Sequence, residues 1–292
     1  MKLAIYGRQI DAQNHLEITK LFSALENTHS DVQVYKGLVS GLSKIIPDLA
    51  KYNTFDEDTL DTDTDFLISI GGDGTILDAV TIIRNSQIPI LGINTGRLGF
   101  LSNTPTEEVE YAINCLYKKD FNIDKRTLLE VETTSQIFGE TNFGLNELSI
   151  LKRDTSNMIT IHTYLDGDYL NSYWADGLIV STATGSTAYS LSCGGPIMMP
   201  GTGNFTLTPI APHNLNVRPI VIADTSILEF QIESRGKHSL LALDSRSKNI
   251  TSKETIKVKK AEFEISLIQL PNQTFISSLR NKLNWGLDRR NK

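Results

Sequence analysis

A chain of 292 residues, 40% of them hydrophobic, can fill one large or two ordinary cores, and two domains are the better expectation. The net charge of −6, with Lys and Arg dispersed apart from Lys257, Lys259 and Lys260 and a tail group at Arg289, Arg290 and Lys292, excludes a general nucleic-acid or membrane-surface binder. No apolar run reaches the roughly 18 to 20 residues that cross a bilayer. The two cysteines, Cys115 and Cys193, lack the paired spacing of a zinc site and point to the cytoplasm.

The first hundred residues alternate strand-like and helix-like segments, the pattern of a parallel sheet covered by helices. Leu3 to Tyr6 reads as a first strand, too short for a secretory signal, and Leu16, Leu21, Phe22 and Leu25 mark a helix face. Val32 to Tyr35 alternates like a strand. Between Ser40 and Tyr52, helical spacing of Leu42, Ile45, Ile46 and Leu49 predicts a helix that Pro47 shortens or kinks. Asp56 to Asp65 holds six acidic residues in ten and predicts a solvated loop. Phe66 to Ile70 is a buried strand, Ile76, Leu77, Val80 and Ile83 one face of a helix, and Ile88 to Ile93 another strand. A linking helix follows over 103–118, with Thr106 as its cap and Cys115 in its apolar stripe.

From about residue 125, short alternating runs separated by Gly, Asp, Asn and Pro predict an all-β domain. Examples are Leu128 to Val131, Leu148 to Leu151, Ile159 to Leu165, Leu178 to Ser181, Ile227 to Ile232, Leu240 to Leu243 and Phe263 to Ile268, with Asp166-Gly167 as a hairpin turn. Phe275, Ile276, Leu279 and Leu283 make a last amphipathic helix. The expected division is therefore an α/β domain over 1–124, an all-β domain over 125–272 and a helix over 273–292 that packs back on the first domain.

Gly71-Gly72-Asp73-Gly74-Thr75 lies between the central strand and its helix. Three glycines permit positive φ and leave no Cβ in the way of a phosphate, Thr75 is placed to cap the helix, and a helix N-terminus favours anions. Asp73 would repel a phosphate there unless a divalent cation lies between them or the carboxylate takes a proton from an attacking hydroxyl, which suggests a kinase. The plain alternative is a tight turn, since Gly and Asp are common turn formers. In open parallel sheets ligands bind beyond the carboxyl ends of the strands, where Asp73 and the loop Asn94 to Gly99 both fall. Further on, Asp176 to Ser192 joins a strand to a run with seven Ser or Thr side chains and one aromatic, Tyr189, a surface suited to a sugar and a base.

The Gly-Gly-Asp-Gly-Thr segment resembles the motif shared by NAD kinases, diacylglycerol-type lipid kinases and, more remotely, phosphofructokinases. Three further ordered blocks resemble NAD kinases in particular: Asn94-Thr95-Gly96-Arg97-Leu98-Gly99-Phe100-Leu101, the pair Asn146-Glu147, and Asp176 to Ser192 with Gly194-Gly195-Pro196 and Pro209 to Leu215. The resemblance implies a Rossmann-like or phosphofructokinase-like α/β domain plus an all-β, NAD-binding domain. It also implies a cytoplasmic phosphotransferase with an alcohol acceptor, which makes NADP from NAD with ATP and a divalent cation, usually Mg²⁺.

On that resemblance Asp73 is the general base, and Gly72, Gly74 and Thr75 shape the phosphate turn. Asn146 and Glu147 hold the purine and the ribose hydroxyls, and Asp176 engages the nicotinamide end. Thr187, Ala188, Tyr189, Ser190, Leu191 and Ser192 line the dinucleotide cleft, and Ala211 lies against it through its backbone. The partners implied are the small molecules NAD and ATP and further copies of the chain, as a homodimer or homotetramer, with no nucleic acid, no membrane and no protein-bound metal. Two residues depart from the family pattern: Trp174 stands where many bacterial relatives have Arg, and Ala183 replaces a frequent Pro. A lipid kinase with the same glycine turn is the alternative enzyme, and would need an acyl channel and a membrane-facing basic or aromatic surface. A catalytically silent nucleotide-binding module is the non-enzyme alternative; Asp73, whose loss would mark it, is present.

Overall fold

Strand β1 (Lys2–Gly7) is apolar on both faces, as a strand in the middle of a parallel sheet must be. The computed structural model describes residues 1–10, 12–96, 99–153, 157–271 and 273–283. Backbone contacts divide the chain into two units, Met1–Lys125 with the chain from Ile265 onward, and Arg126–Glu264.

In the first unit, β1 is followed by α1 (His15–Asn27), β2 (Asp31–Tyr35), α2 (Lys36–Leu42), β3 (Asn53–Phe55), β4 (Phe66–Ile70), α3 (Asp73–Ile83), β5 (Ile90–Asn94), β6 (Thr104–Pro105) and α4 (Val109–Lys118). The strands pair in parallel in the order β3-β2-β1-β4-β5-β6, so the sheet grows outward in both directions from β1. Ile18, Leu21, Phe22 and Leu25 of α1 pack with Val109, Ala112, Ile113 and Leu116 of α4 and with Leu3, Ile5, Ile68 and Ile70 of the strands. Cys115 belongs to that core.

Three local expectations change. The helix expected over Ser40 to Tyr52 starts earlier, at Lys36, and stops at Leu42; a turn carries the chain past Pro47 into a short 3-10 segment, Leu49–Lys51. Thr75 does not cap α3, because the helix begins at Asp73 with Gly72 as N-cap, and Thr75 sits buried inside the first turn. Nor does Thr106 cap α4, which is entered through a 3-10 turn, Thr106–Glu108.

The second unit contains β7 (Asn122–Thr133, from Arg126), β8 (Phe143–Gly144), β9 (Glu147–Lys152), β10 (Ile159–Leu165), β11 (Asp168–Ala175) and β12 (Gly177–Thr182). A one-turn helix α5 (Tyr189–Ser192) precedes β13 (Asn204–Ile210), β14 (Ile220–Ala223), β15 (Leu228–Glu233), β16 (Ser239–Leu243), β17 (Arg246–Ile250) and most of β18 (Thr255–Gln269). One sheet runs β14-β13-β12-β9-β16-β17, and β11-β10-β15-β18 pair in the other. Both put alternate apolar residues into one core, where Ile150, Leu178, Val180 and Leu207 meet Ile161, Phe230 and Ile256. Asp166 and Gly167 have φ of 51° and 88°, the two positive values a tight hairpin turn demands.

The end of β18 belongs to the first unit, where Leu267 pairs in parallel with Ile90. A final helix, α6 (Phe275–Leu283), buries Ser278 and Leu279, and the Phe275 ring lies 6.2 Å from that of Phe100. Ile276 and Leu283, expected on the buried face, are exposed. The rest of the helix expected over 273–292, with Arg289, Arg290 and Lys292, lies outside the described residues, as do Arg97 and Leu98 of the Asn94 motif.

Candidate functional site

In the first unit the chain leaves β4 through Gly71, whose φ of 150° and whose closeness to Thr75 exclude a side chain: a Cβ there would lie 2.2 Å from Thr75 Oγ1. Gly72 and Gly74 differ from the expectation, since neither has positive φ and a Cβ on either would meet nothing within 4 Å. Their missing side chains leave open space over the N-terminus of α3, where unpaired backbone N–H groups favour an anion.

Asp73 opens that helix, and its carboxylate accepts three backbone hydrogen bonds from one loop. Phe100 N donates to Oδ2 at 2.9 Å, while Leu101 N and Ser102 N donate to Oδ1 at 3.1 and 2.9 Å. The loop is itself secured: Gly99 N donates to Ser102 O, Ser102 Oγ to Gly71 O, and Asn94 Nδ2 to Ser102 O. Gly99 has to be glycine, because a Cβ there would fall 1.7 Å from Asp73 Oδ1. Two motifs far apart in the chain thus make one object, a carboxylate fixed at a helix N-terminus.

In the second unit, Asn146 lies between β8 and β9 and Glu147 opens β9, and every backbone polar group of Leu145, Asn146 and Glu147 has a partner. Their three N–H groups donate to the carboxylate of Asp244 at 2.7, 2.9 and 3.0 Å. The carbonyls of Leu145 and Asn146 accept from Oγ1 and N of Thr182, and that of Glu147 from Asp244 N. Side chains are treated differently. Asn146 Oδ1 and Glu147 Oε2 are buried with no hydrogen-bond partner among the described residues, a costly state that a ligand carrying donors would relieve. Burial and the charge of Asp244 push the Glu147 carboxyl up to about 8. Burial likewise raises Asp244, against the pull of its three N–H donors and of Arg246.

The hydroxyl-rich run folds against this segment. A Cβ on Gly185 would meet Asn146 O at 2.2 Å, so only glycine allows the Gly185–Thr187 turn to lie there. Thr187 Oγ1 turns back to Thr184 O, Ala188 bridges into α5, and Ser190 is buried with its Oγ 2.8 Å from Thr208 Oγ1. Tyr189 and Ser192 are exposed and Leu191 is half-buried. The Tyr189 hydroxyl is raised by burial, then by Cys193, Asp176 and Glu147, which places it within electrostatic reach of both carboxylates. Asp176, between β11 and β12, pairs with Lys152 at 2.6 Å and takes a backbone bond from Lys152 N. Ala211 has φ of 44°, uncommon for a residue with a Cβ and a mark of local strain. The rings of Trp174 and His213 lie against each other at a tilt of 40° with centres 4.2 Å apart, and line a cavity of about 650 Å³ with Thr160, Glu233 and Arg235.

Asp244, Thr182 and Lys152 were not singled out from the sequence. Thr182 stood in the hydroxyl-rich run, whereas Asp244 carries no local signal beyond a turn-forming residue between two strands.

Two family models match the chain: the ATP-NAD kinase N-terminal domain over residues 14–121 and the ATP-NAD kinase C-terminal domain over 145–270. An NAD kinase of Cytophaga hutchinsonii is 45% identical and one of Flavobacterium psychrophilum 44% identical, each over the full length of both chains. Among solved structures, an NAD kinase from Archaeoglobus fulgidus in complex with ATP is similar at 26% identity with a TM-score of 0.75, covering 97% of this chain and 99% of that one. Yeast NADH kinase complexed with NADH shares the fold, with a TM-score of 0.86 at 21% identity over 99% of this chain and 88% of that one.

Proposed function

The chain belongs to the NAD kinase family, and on that premise we propose that it transfers the γ-phosphoryl group of ATP to the 2′-hydroxyl of the adenosine ribose of NAD, giving NADP and ADP. The observation that carries the mechanism is the seat of Asp73. Three N–H bonds fix the carboxylate and leave about one acceptor direction free, on Oδ2. In the proposal that oxygen accepts the proton of the 2′-hydroxyl as its oxygen attacks the γ-phosphorus and ADP departs. Gly72 and Gly74 admit the phosphates over α3, with Thr75 shaping the turn from inside.

Asn146 and Glu147 offer their unpartnered oxygens to purine and ribose donors. Tyr189 supplies a flat face, with Thr187, Ala188, Ser190, Leu191 and Ser192 forming the surrounding wall. Asp176, with its charge tempered by Lys152, and Ala211, through its backbone, take the nicotinamide end. The hydroxyl-rich wall favours a dinucleotide over the acyl chain that a lipid kinase would require.

Mg²⁺ is part of the proposal as a companion of ATP. Among the described residues no group of three His, Cys, Asp or Glu side chains could hold a metal, and Asp73 is already engaged. In the proposal the cation is carried mainly by the substrate phosphates, whose charge it neutralises. A cytoplasmic site of action accords with two free cysteines. Assembly as a homodimer or homotetramer is supported by apolar side chains left at the surface of the second unit, among them Trp174, Leu215 and Val221. Purified protein incubated with ATP, Mg²⁺ and either NAD or a diacylglycerol tests the reading. NADP formation is expected, and phosphorylation of the lipid alone would reject it.

A further inference from the structure

We propose that Asp244 is a positioning residue for the dinucleotide, acting through the backbone of Leu145, Asn146 and Glu147 to hold the Asn146 and Glu147 side chains in place before ligand arrives. This rests on the reading that those two side chains bind NAD. Asp244 lies at the tip of the β16–β17 hairpin, half-buried as a residue but with its carboxylate desolvated, and has φ of 49°. Its two carboxylate oxygens gather three consecutive N–H groups, and its own N–H returns to Glu147 O.

The same hairpin grips the segment upstream. Arg246 donates to Thr141 O and to Phe143 O. Gly144 lies between the two grips, where a Cβ would come 2.7 Å from Leu243 Cδ1 and 3.2 Å from Asp244 Oδ1. On the far side Thr182 closes the remaining two carbonyls.

The desolvation of the Asp244 carboxylate is hard to explain by stability alone. Taking a carboxylate out of water is costly, and an apolar hairpin tip would avoid the cost. A single carboxylate, however, can accept three parallel N–H donors at once, whereas no neutral side chain has the acceptors. The outcome is a tripeptide whose backbone is fully bonded and whose two side-chain oxygens remain unpaired, so a ligand need not pay to order them.

The test compares Asp244→Asn, Asp244→Ala and Thr182→Val with wild type in steady-state kinetics, each well below its own melting midpoint. Asn keeps one acceptor and sets an amide N–H against a backbone N–H, Ala removes all acceptors, and Val deletes both bonds of Thr182 Oγ1, the one it donates to Leu145 O and the one it accepts from Gly185 N. The positioning role predicts KM for NAD raised about 10- to 100-fold in Asp244→Asn, further in Asp244→Ala and several-fold in Thr182→Val, with KM for ATP within about twofold. If the Asp244 variants do not fold, Thr182→Val decides by the same split. Unchanged KM for NAD in the folded variants, or equal rises for both substrates, overturns the proposal while leaving NAD kinase activity standing. A wild-type protein that makes no NADP removes the parent reading and this role with it.

Discussion

Replacing Gly99 by Ala puts one methyl group where the Asp73 carboxylate now lies. The added Cβ would stand 1.7 Å from Oδ1 and 2.6 Å from Cγ, and real Cβ contacts essentially never fall below 3.0 Å, so something must move by about 1.3 Å (3.0 − 1.7). The loop backbone is held by the Gly99–Ser102 turn, by Asn94 and by the bond from Ser102 Oγ to Gly71 O, whereas Asp73 has a rotatable side chain. The carboxylate is therefore the part that yields. A catalytic group misplaced by about 1 Å costs on the order of 10²-fold in rate, and complete loss of a general base costs about 10² to 10⁴-fold.

Gly99→Ala should thus lower kcat by roughly 10²-fold or more, with KM for NAD little changed because Asn146 and Glu147 are untouched. NADP formation, followed through an NADP-dependent dehydrogenase in excess, gives both parameters, and circular dichroism confirms that the variant is folded. A folded Gly99→Ala enzyme turning over within about threefold of wild type would refute the argument that the position of Asp73 matters to the chemistry.

Asp73→Asn should fold and lose about 10² to 10⁴-fold in kcat, less if the hydroxyl proton leaves late in a loose transition state; single-turnover rates with ATP and NAD check it. Gly74→Ala adds a better helix former in open space and should gain about 0.5 kcal/mol of stability. The same change should raise KM for ATP, and a melting scan with initial-rate measurements reads both effects. Asn146→Ala with Glu147→Ala should weaken NAD affinity by roughly tenfold to several hundredfold, since two ligand hydrogen bonds are lost; titration calorimetry measures it directly. For Glu147 the folded protein favours the neutral acid, so its contribution to stability is complete below pH about 4.5 and is lost as pH rises toward about 8. Glu147→Gln, which cannot ionise, should therefore gain in melting temperature relative to wild type between pH 6 and 9, and a constant difference over that range would show that Glu147 is not buried as described.

Periodicity and turn chemistry made much of the fold legible. The parallel sheet of the first unit follows from apolar runs alternating with helical stripes, though its strand order does not, and the hairpin at Asp166-Gly167 follows from a dipeptide that tolerates two positive φ values. Errors fell where two local signals competed. Helical spacing of Leu42, Ile45, Ile46 and Leu49 continued past the point where the chain turns ahead of Pro47, and the buried residues Ile46 and Leu49 reach the core from a turn and a 3-10 segment. Thr75 resembled a cap because a hydroxyl near a helix start usually is one, yet Gly72 and Asp73 had already begun the helix.

The candidate site divides along the same line between local and distant causes. The Asp73 turn is contiguous, so its glycines and carboxylate are visible as a motif, but the reason Gly99 must be glycine is a contact with a residue 26 positions earlier. Asp244 is the stronger case. It stands alone between two strands and reads as an ordinary turn residue. Its role depends on register: β16 pairs antiparallel with β9 so that Leu243 lies opposite Leu148, and the next residue along the hairpin then falls beside Glu147. A slip of one residue would turn the alternating side chains of β16 to the opposite face and carry the carboxylate away from the three N–H groups. Packing of Leu241 and Leu243 into the core forbids that slip. The apolar pattern of one strand therefore sets where a carboxylate almost a hundred residues from Asn146 is delivered, which is why the residue that holds the backbone of Leu145, Asn146 and Glu147 has no signature of its own in the sequence.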